Sequence, residues 1–270
     1  MTCDFLPLAA PGVRTLQAYQ PGKPESELRR EYGLTDIIKL ASNENPLGPS
    51  PKALVAVCEA LNGLARYPDG NGFDLKTALS ARLNTPLATL TLGNGSNDVL
   101  ELAARAFLTP EHEAIFSEHA FAVYPIVTQA IGATARIAKA NLPDHPMPYG
   151  HNPAAMLDLI NDRTRIIFIA NPNNPNGTWL NTAELESLLA AVPEPVIVVV
   201  DEAYGEYVEA AADCPTVLPW LDRFPNLIVT RTFSKAYGLA GLRVGYAISH
   251  PQVADLLNRV RQPFNVNSLA

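Results

Sequence analysis

Four stretches of this chain, Arg165–Ala170, Val196–Val200, Leu227–Thr230 and Val244–Ile248, are solidly apolar and rich in β-branched residues. A strand with one wet face alternates apolar and polar residues, whereas a strand without alternation is buried on both faces. Segments with helical periodicity separate these runs, and buried strands alternating with helices give a mainly parallel sheet with helices on both sides. The expected architecture is therefore α/β, a three-layer α/β/α domain.

Other segments fit that frame. Ser50-Pro51 sets an N-cap serine before a proline at the first helical position, opening a helix that runs to about Asn62-Gly63. Asp74–Asn84 has the pattern of a second helix and Leu90–Leu92 that of a short strand. Gly93-Asn94-Gly95-Ser96 then turns into a helix reaching Leu108. Ala114–Phe116 and Thr134–Ile137 are expected strands, with a helix over Tyr124–Ile131 between them. The proline-rich stretch Asn141–Asn152 is expected as loop and Pro153–Asn161 as helix, while Asn181 with Glu184 forms a capping pair opening a helix to Ala191. Residues 1–49 are punctuated by proline and glycine and hold one short helix-compatible run, Glu25–Tyr32. They are expected to form an N-terminal arm and part of a small domain, with 50–270 as the large domain. No internal repeat or low-complexity tract occurs.

The formal net charge of −7 comes without a basic stripe, which argues against nucleic acid or an anionic membrane as partner. Cys3, Cys58 and Cys214 lie far apart with no Cys-x-x-Cys pair, so neither a disulfide framework nor a zinc site is expected. His112, His119, His145, His151 and His250 lack ligand spacing; they are expected in loops or at the surface, and no metal is expected. The N-terminus lacks a cationic start followed by a sustained apolar run, and no stretch is long enough to span a bilayer. A cytoplasmic protein is expected.

In sheets of this kind, ligands sit outside the carboxyl ends of the strands. The residues there form a consistent set: Gly95-Ser96-Asn97 at a helix N-terminus, Asn171–Gly177 with Asn174, Asp201-Glu202-Ala203-Tyr204, and Thr232-Phe233-Ser234-Lys235 with Arg243 beyond. Each piece also has a plain structural reading, as a helix cap, an asparagine-proline turn, a strand end or a surface turn. Together they place phosphate-binding amides and hydroxyls, a carboxylate, a phenol, an amine and a guanidinium on one rim. Lys235 stands apart from Lys23, Lys39, Lys52, Lys76 and Lys139 in its setting between Thr232, Ser234 and a glycine-rich turn. An amine held, partly desolvated, against an aldehyde and an anion suits the Schiff-base chemistry of pyridoxal phosphate. The phosphate suits a helix N-terminus. Asp201 can keep the pyridine nitrogen protonated, and Asn174 and Tyr204 suit the ring hydroxyl. Phe121 can stack on the ring face, although an aromatic near a helix start is also ordinary core.

The blocks Lys39–Pro51, Arg66–Asp69, Gly93–Asn97, Asn171–Thr178, Asp201–Tyr204, Arg231–Gly245 and Arg261–Asn267 occur in an order that resembles fold-type I pyridoxal phosphate aminotransferases, most closely the histidinol-phosphate aminotransferase family. The resemblance covers nearly the whole chain. It implies an aspartate aminotransferase-like large domain and pyridoxal 5′-phosphate as cofactor. It implies that Lys235 carries the cofactor aldehyde, that Asp201 pairs the pyridine nitrogen and that Asn174 and Tyr204 hold the ring oxygen. Phe121 would stack on the ring. The cofactor phosphate would be held by Ser96, Asn97, Ser234 and Arg243, with Gly95 and Thr232 completing the pocket. Tyr67 would reach in from the other subunit of a homodimer. Tyr19 resembles a family residue near the substrate phosphate, and Asn43 to Asn45 would border the same cleft.

Two departures from the family pattern stand out. Asn97 replaces a frequent aspartate, and the chain stops at Ala270, where the family continues into a C-terminal domain. The small domain is therefore expected to be incomplete. The implied reaction is amino transfer from L-histidinol phosphate to 2-oxoglutarate, giving imidazole acetol phosphate and glutamate in histidine biosynthesis. The alternatives are an aromatic amino acid aminotransferase, a decarboxylase of a phosphorylated amino acid, and an inactive truncated remnant that binds cofactor. The bonds before Pro172 and Pro175 are the expected cis peptides.

Overall fold

A computed structural model describes residues 4–208 and 213–270; Cys3 lies outside them. In chain order the regular elements are α1 (Glu25–Tyr32), α2 (Pro51–Ala60), α3 (Phe73–Leu83), β1 (Leu90–Gly93), α4 (Ser96–Phe107), β2 (Glu113–Ser117), α5 (Val123–Ile131), β3 (Thr134–Ala138), α6 (Pro153–Leu157), β4 (Thr164–Ala170), α7 (Thr182–Ala191), β5 (Ile197–Asp201), α8 (Gly205–Val208), β6 (Leu227–Thr232), β7 (Gly245–Ser249) and α9 (Pro251–Val260). Ser50 caps α2 by accepting from the Lys52 amide (3.3 Å). Asn181 and Glu184 form the reciprocal capping box that opens α7.

Among the described residues seven strands form one sheet in the order β1-β7-β6-β5-β4-β2-β3. The pairings β2·β3, β2·β4, β4·β5 and β5·β6 are parallel, whereas β7 is antiparallel to both β1 and β6. The solid apolar runs are buried on both faces. Ile167 and Ile169 of β4 pack with Leu185, Leu188 and Leu189 of α7, while Ile166 and Phe168 face Val99, Leu100 and Ala103 of α4. Each such side chain, fully buried, is worth about 1.5–3 kcal/mol. Residues of the sheet belong to both cores, which lie on its two faces.

Two expectations needed adjustment. The helix expected over Pro153–Asn161 ends at Leu157, because Leu159 and Ile160 tighten into three-residue turns, donating to Met156 and Leu157, as the chain bends back toward β4. His151 is not a loop or surface residue: it is buried, and its Nε2 bonds the Ala170 carbonyl (2.9 Å). His250 caps α9, accepting from the Gln252 amide. Cys58 and Cys214 are free. The bonds before Pro172 and Pro175 are both cis. Among the described residues, no helix is long and apolar enough to cross a membrane.

Candidate active site

The ends of β1, β5 and β6 and the start of β7 share one rim, since β7 runs opposite to its neighbours. A cavity of about 400 Å³ opens there. At one corner α4 begins at Ser96, after Gly95 in a backbone conformation (φ 81°) that glycine tolerates, and no side chain caps the helix. A Cβ at Gly95 would collide with the guanidinium of Arg243, and one at Gly245 would collide with the Ser96 amide nitrogen. Arg243, itself in left-handed backbone (φ 56°), donates to Ser234 Oγ (3.3 Å) and to the Asn94 carbonyl (3.3 Å). A guanidinium pressed against an uncapped helix N-terminus makes a site for an anion such as a phosphate.

Across the cavity Asp201 ends β5 with 4% of its surface exposed. Thr230 Oγ1 donates to its Oδ1 (2.8 Å) and Tyr124 donates to its Oδ2 (3.2 Å). Burial lifts the carboxyl to about 6, and the two hydroxyl donors restrain the rise. Lys235 follows β6, and its amine donates to the Ser42 carbonyl (2.7 Å). Burial lowers its pKa; Arg243 adds to the effect, while Glu44 and Asp201 oppose it. Its ammonium lies 5.8 Å from the centre of the Tyr204 ring. The Tyr204 hydroxyl accepts from Asn43 Nδ2 (3.0 Å), and burial raises its pKa.

The structure brings Tyr19, Asn43, Ser96, Asn97, Phe121, Asn174, Asp201, Tyr204, Thr232, Ser234, Lys235 and Arg243 to the wall of this cavity. Gly95 stands behind Arg243 instead of lining the wall. Asn45 does not line it either; its side chain donates to the Ala236 carbonyl (2.8 Å) and fastens the arm beside Lys235. Tyr67 is away from the cavity of its own chain, 83% exposed and stacked on Phe264 at 4.8 Å. Sequence reasoning passed over Ser42, Thr230 and Tyr124. Thr230 stands within a strand run read only for its apolar residues. Ser42 acts through its carbonyl, which no side-chain pattern marks. Among the described residues no cluster of His, Cys, Asp and Glu could hold a metal.

The residues present fit pyridoxal 5′-phosphate. An anion corner, a half-buried amine, a buried carboxylate held by two hydroxyls and an aromatic face converge in a cavity of a size suited to a small cofactor. Comparison with known proteins points the same way. Residues 35–270 match the family model for aminotransferase class I and II. The chain is 61% identical to histidinol-phosphate aminotransferase 2 of Pseudomonas fluorescens over 272 residues, covering all of this chain and 72% of that protein. It is 58% identical to histidinol-phosphate aminotransferase 1 of Nitrosococcus oceani, covering 98% and 70%. The crystal structure of histidinol-phosphate aminotransferase from Sinorhizobium meliloti in complex with pyridoxal-5′-phosphate superimposes with a TM-score of 0.85 at 28% identity, covering 96% of this chain and 67% of that one. Aspartate aminotransferase from Thermus thermophilus, at 22% identity and a TM-score of 0.79, shares the fold. Over nearly its whole length the chain belongs to the aminotransferase class I and II family, grouped there with the histidinol-phosphate aminotransferases.

Proposed function

We propose that this chain carries the machinery for amino transfer from L-histidinol phosphate to 2-oxoglutarate, a step of histidine biosynthesis, and that it works in the cytoplasm as a homodimer. The observation that carries the reading is the convergence of Lys235, Asp201 and the Arg243-backed N-terminus of α4 on one cavity, in a chain 54–61% identical to histidinol-phosphate aminotransferases.

When bound, pyridoxal 5′-phosphate supplies an aldehyde that takes up an amino group and a protonated ring that accepts the electrons left by a departing Cα proton. The chain supplies the groups that would hold and orient it. The amides opening α4, with Ser96, Asn97, Ser234 and Arg243, hold the phosphate. Gly95 and Thr232 shape that corner, one by lacking a side chain and the other by accepting the Ser234 amide on its hydroxyl (3.1 Å). Asp201 holds a proton at the ring nitrogen. Asn174 and Tyr204 orient the ring oxygen, and Phe121 covers one face. Lys235 would hold the aldehyde through its amine, and the same amine, when free, is the group placed to take up the Cα proton and give it back. An amine of ordinary pKa is almost wholly protonated at neutral pH, so the lowering by burial and by Arg243 serves this role.

Tyr19 and Asn43 flank the substrate side of the cavity, with Asn45 anchoring the arm that carries them. The dimer reading is supported by α2, which buries none of its residues and leaves Leu54 and Val55 more than half exposed. Tyr67, exposed and outside its own cavity, is free to serve the partner's phosphate corner. Residues 1–49 act as an arm and part of a small domain, and residues 50–270 as the cofactor domain.

The test is the visible spectrum of the chain with added pyridoxal phosphate. A band that borohydride traps on the protein, that is absent from Lys235→Ala and that responds to histidinol phosphate with glutamate formed from 2-oxoglutarate supports the reading. A band that responds to aromatic amino acids but not to histidinol phosphate moves the substrate assignment to the aromatic class. No Lys235-dependent band in folded protein refutes the proposal.

A further inference from the structure

Tyr124 is fully buried. From α5 its ring stacks on Phe168 of β4 (4.8 Å, 7°) and meets the edge of Phe121 (5.9 Å, 88°). A phenylalanine would fill this space equally well, and a buried phenol must find a partner for its hydroxyl. That hydroxyl reaches Asp201 Oδ2 at 3.2 Å, across 77 positions of sequence. Thr230 occupies the other carboxylate oxygen at 2.8 Å. One side chain therefore touches both the carboxylate and the aromatic that line the cofactor cavity, without lining it.

We propose that Tyr124 is a positioning residue for the cofactor pocket, fixing the orientation and ionised state of Asp201 through its hydroxyl and the setting of Phe121 through its ring. The proposal rests on the reading of Asp201 as partner of the ring nitrogen. Its physical basis is direct. A buried carboxylate pays a desolvation penalty, which hydrogen bonds to the charged form reduce, and both hydroxyls, Thr230 at 2.8 Å and Tyr124 at the longer 3.2 Å, donate to it. With Thr230 on one oxygen and Tyr124 on the other, the carboxylate cannot rotate without losing both partners. Other titratable groups bear on Asp201: Glu202, next along the chain, disfavours its charge, and Tyr204 and Lys235 lie around the same cavity. Tyr124 differs from these in donating directly to the carboxylate.

The experiment compares the wild-type chain with Tyr124→Phe, reading two quantities. The first is the titration of the Asp201 carboxyl in cofactor-free protein, followed by carbon NMR and assigned with Asp201→Asn. Loss of the donor is expected to raise its midpoint by about one pH unit, the scale of one charge-assisted hydrogen bond. The second is the dissociation constant for pyridoxal phosphate, expected to weaken about fivefold at pH 6 and less than twofold at pH 8.5, where both proteins hold Asp201 ionised. A purely structural tyrosine would alter the melting temperature and leave both quantities unchanged, which would overturn the proposal. Should Tyr124→Phe not fold, difluorotyrosine at this position gives a stronger donor of nearly the same shape and is expected to lower the Asp201 midpoint; an unmoved midpoint is again fatal. A wild-type chain that shows no Lys235-dependent cofactor band instead refutes the functional reading beneath it.

Discussion

Replacing Asp201 by asparagine separates the role proposed for this residue toward the cofactor from what its charge costs the fold. Burial lifts the Asp201 carboxyl from the ordinary 3.8 to about 6. Between those values the folded chain holds a proton that the unfolded chain has released, so stability falls as pH rises through this window. The penalty is absent below about pH 3.5 and complete above about pH 7, where it amounts to about 3 kcal/mol at 1.36 kcal/mol per unit. Asparagine keeps the size and an acceptor oxygen for Thr230 or Tyr124 while removing the charge. Urea denaturation of the cofactor-free proteins should therefore find Asp201→Asn more stable than wild type by up to about 3 kcal/mol at pH 8, the gap closing toward pH 4. The same variant should lose transamination by at least about a hundredfold, the scale of removing a preorganised electrostatic partner. A variant no more stable than wild type at pH 8, or a gap that does not change with pH, would refute the claim that the charged carboxylate is held at the expense of the fold.

Other perturbations address the remaining parts of the site. Lys235→Ala should abolish both turnover and borohydride trapping of the cofactor while leaving the melting temperature of the cofactor-free chain within a few degrees; retained trapping would move the covalent role to another lysine. Gly95→Ala places a methyl group against Arg243 in a backbone conformation costing about 1–3 kcal/mol, and should weaken cofactor binding at least about tenfold in a fluorescence titration; unchanged affinity would remove Arg243 from the phosphate corner. If Tyr67 serves the partner's site, mixing the Tyr67→Ala and Lys235→Ala proteins should restore activity that neither has alone. Mixed subunits then contain one intact site, and the absence of rescue in a confirmed mixed dimer would place Tyr67 outside the site.

The sheet was legible because burial on both faces leaves a direct mark: Ile166 to Ala170 and Val196 to Val200 admit no wet face. The strand ends were legible for a related reason, since polar residues gathered after apolar runs have few purposes in common other than a ligand. What escaped was decided by contacts between distant positions. Nothing near Val244 announces that β7 runs against its neighbours; that follows from the short return from β6, closed by the pairing of Thr232 with Gly245. His151 reads as one histidine among several in a proline-rich stretch, and only the Ala170 carbonyl across the fold makes it interior. Helix α9 had a local signal that went unread, His250 as cap before Pro251 at the first position. Tyr124 had none, because a tyrosine in an apolar helix looks the same whether its hydroxyl meets a backbone carbonyl or the carboxylate of a cofactor pocket.

The reversal of β7 also sets a length. Lys235 and Arg243 ride on one loop whose base is closed by the pairing of Thr232 with Gly245 and stitched by Phe233 to Val244 (3.1 Å) and Leu239 to Phe233 (3.0 Å). No bond joins the amine to the guanidinium, so their spacing is written in the number of residues between the two strands. The β6–β7 pairing is in effect a ruler. Slipping it by one residue would carry Arg243 about 3.4 Å along the strand and turn its neighbours to the opposite face. An insertion or deletion in this loop would thus miscalibrate the distance between the two groups even where every residue of the pocket was kept.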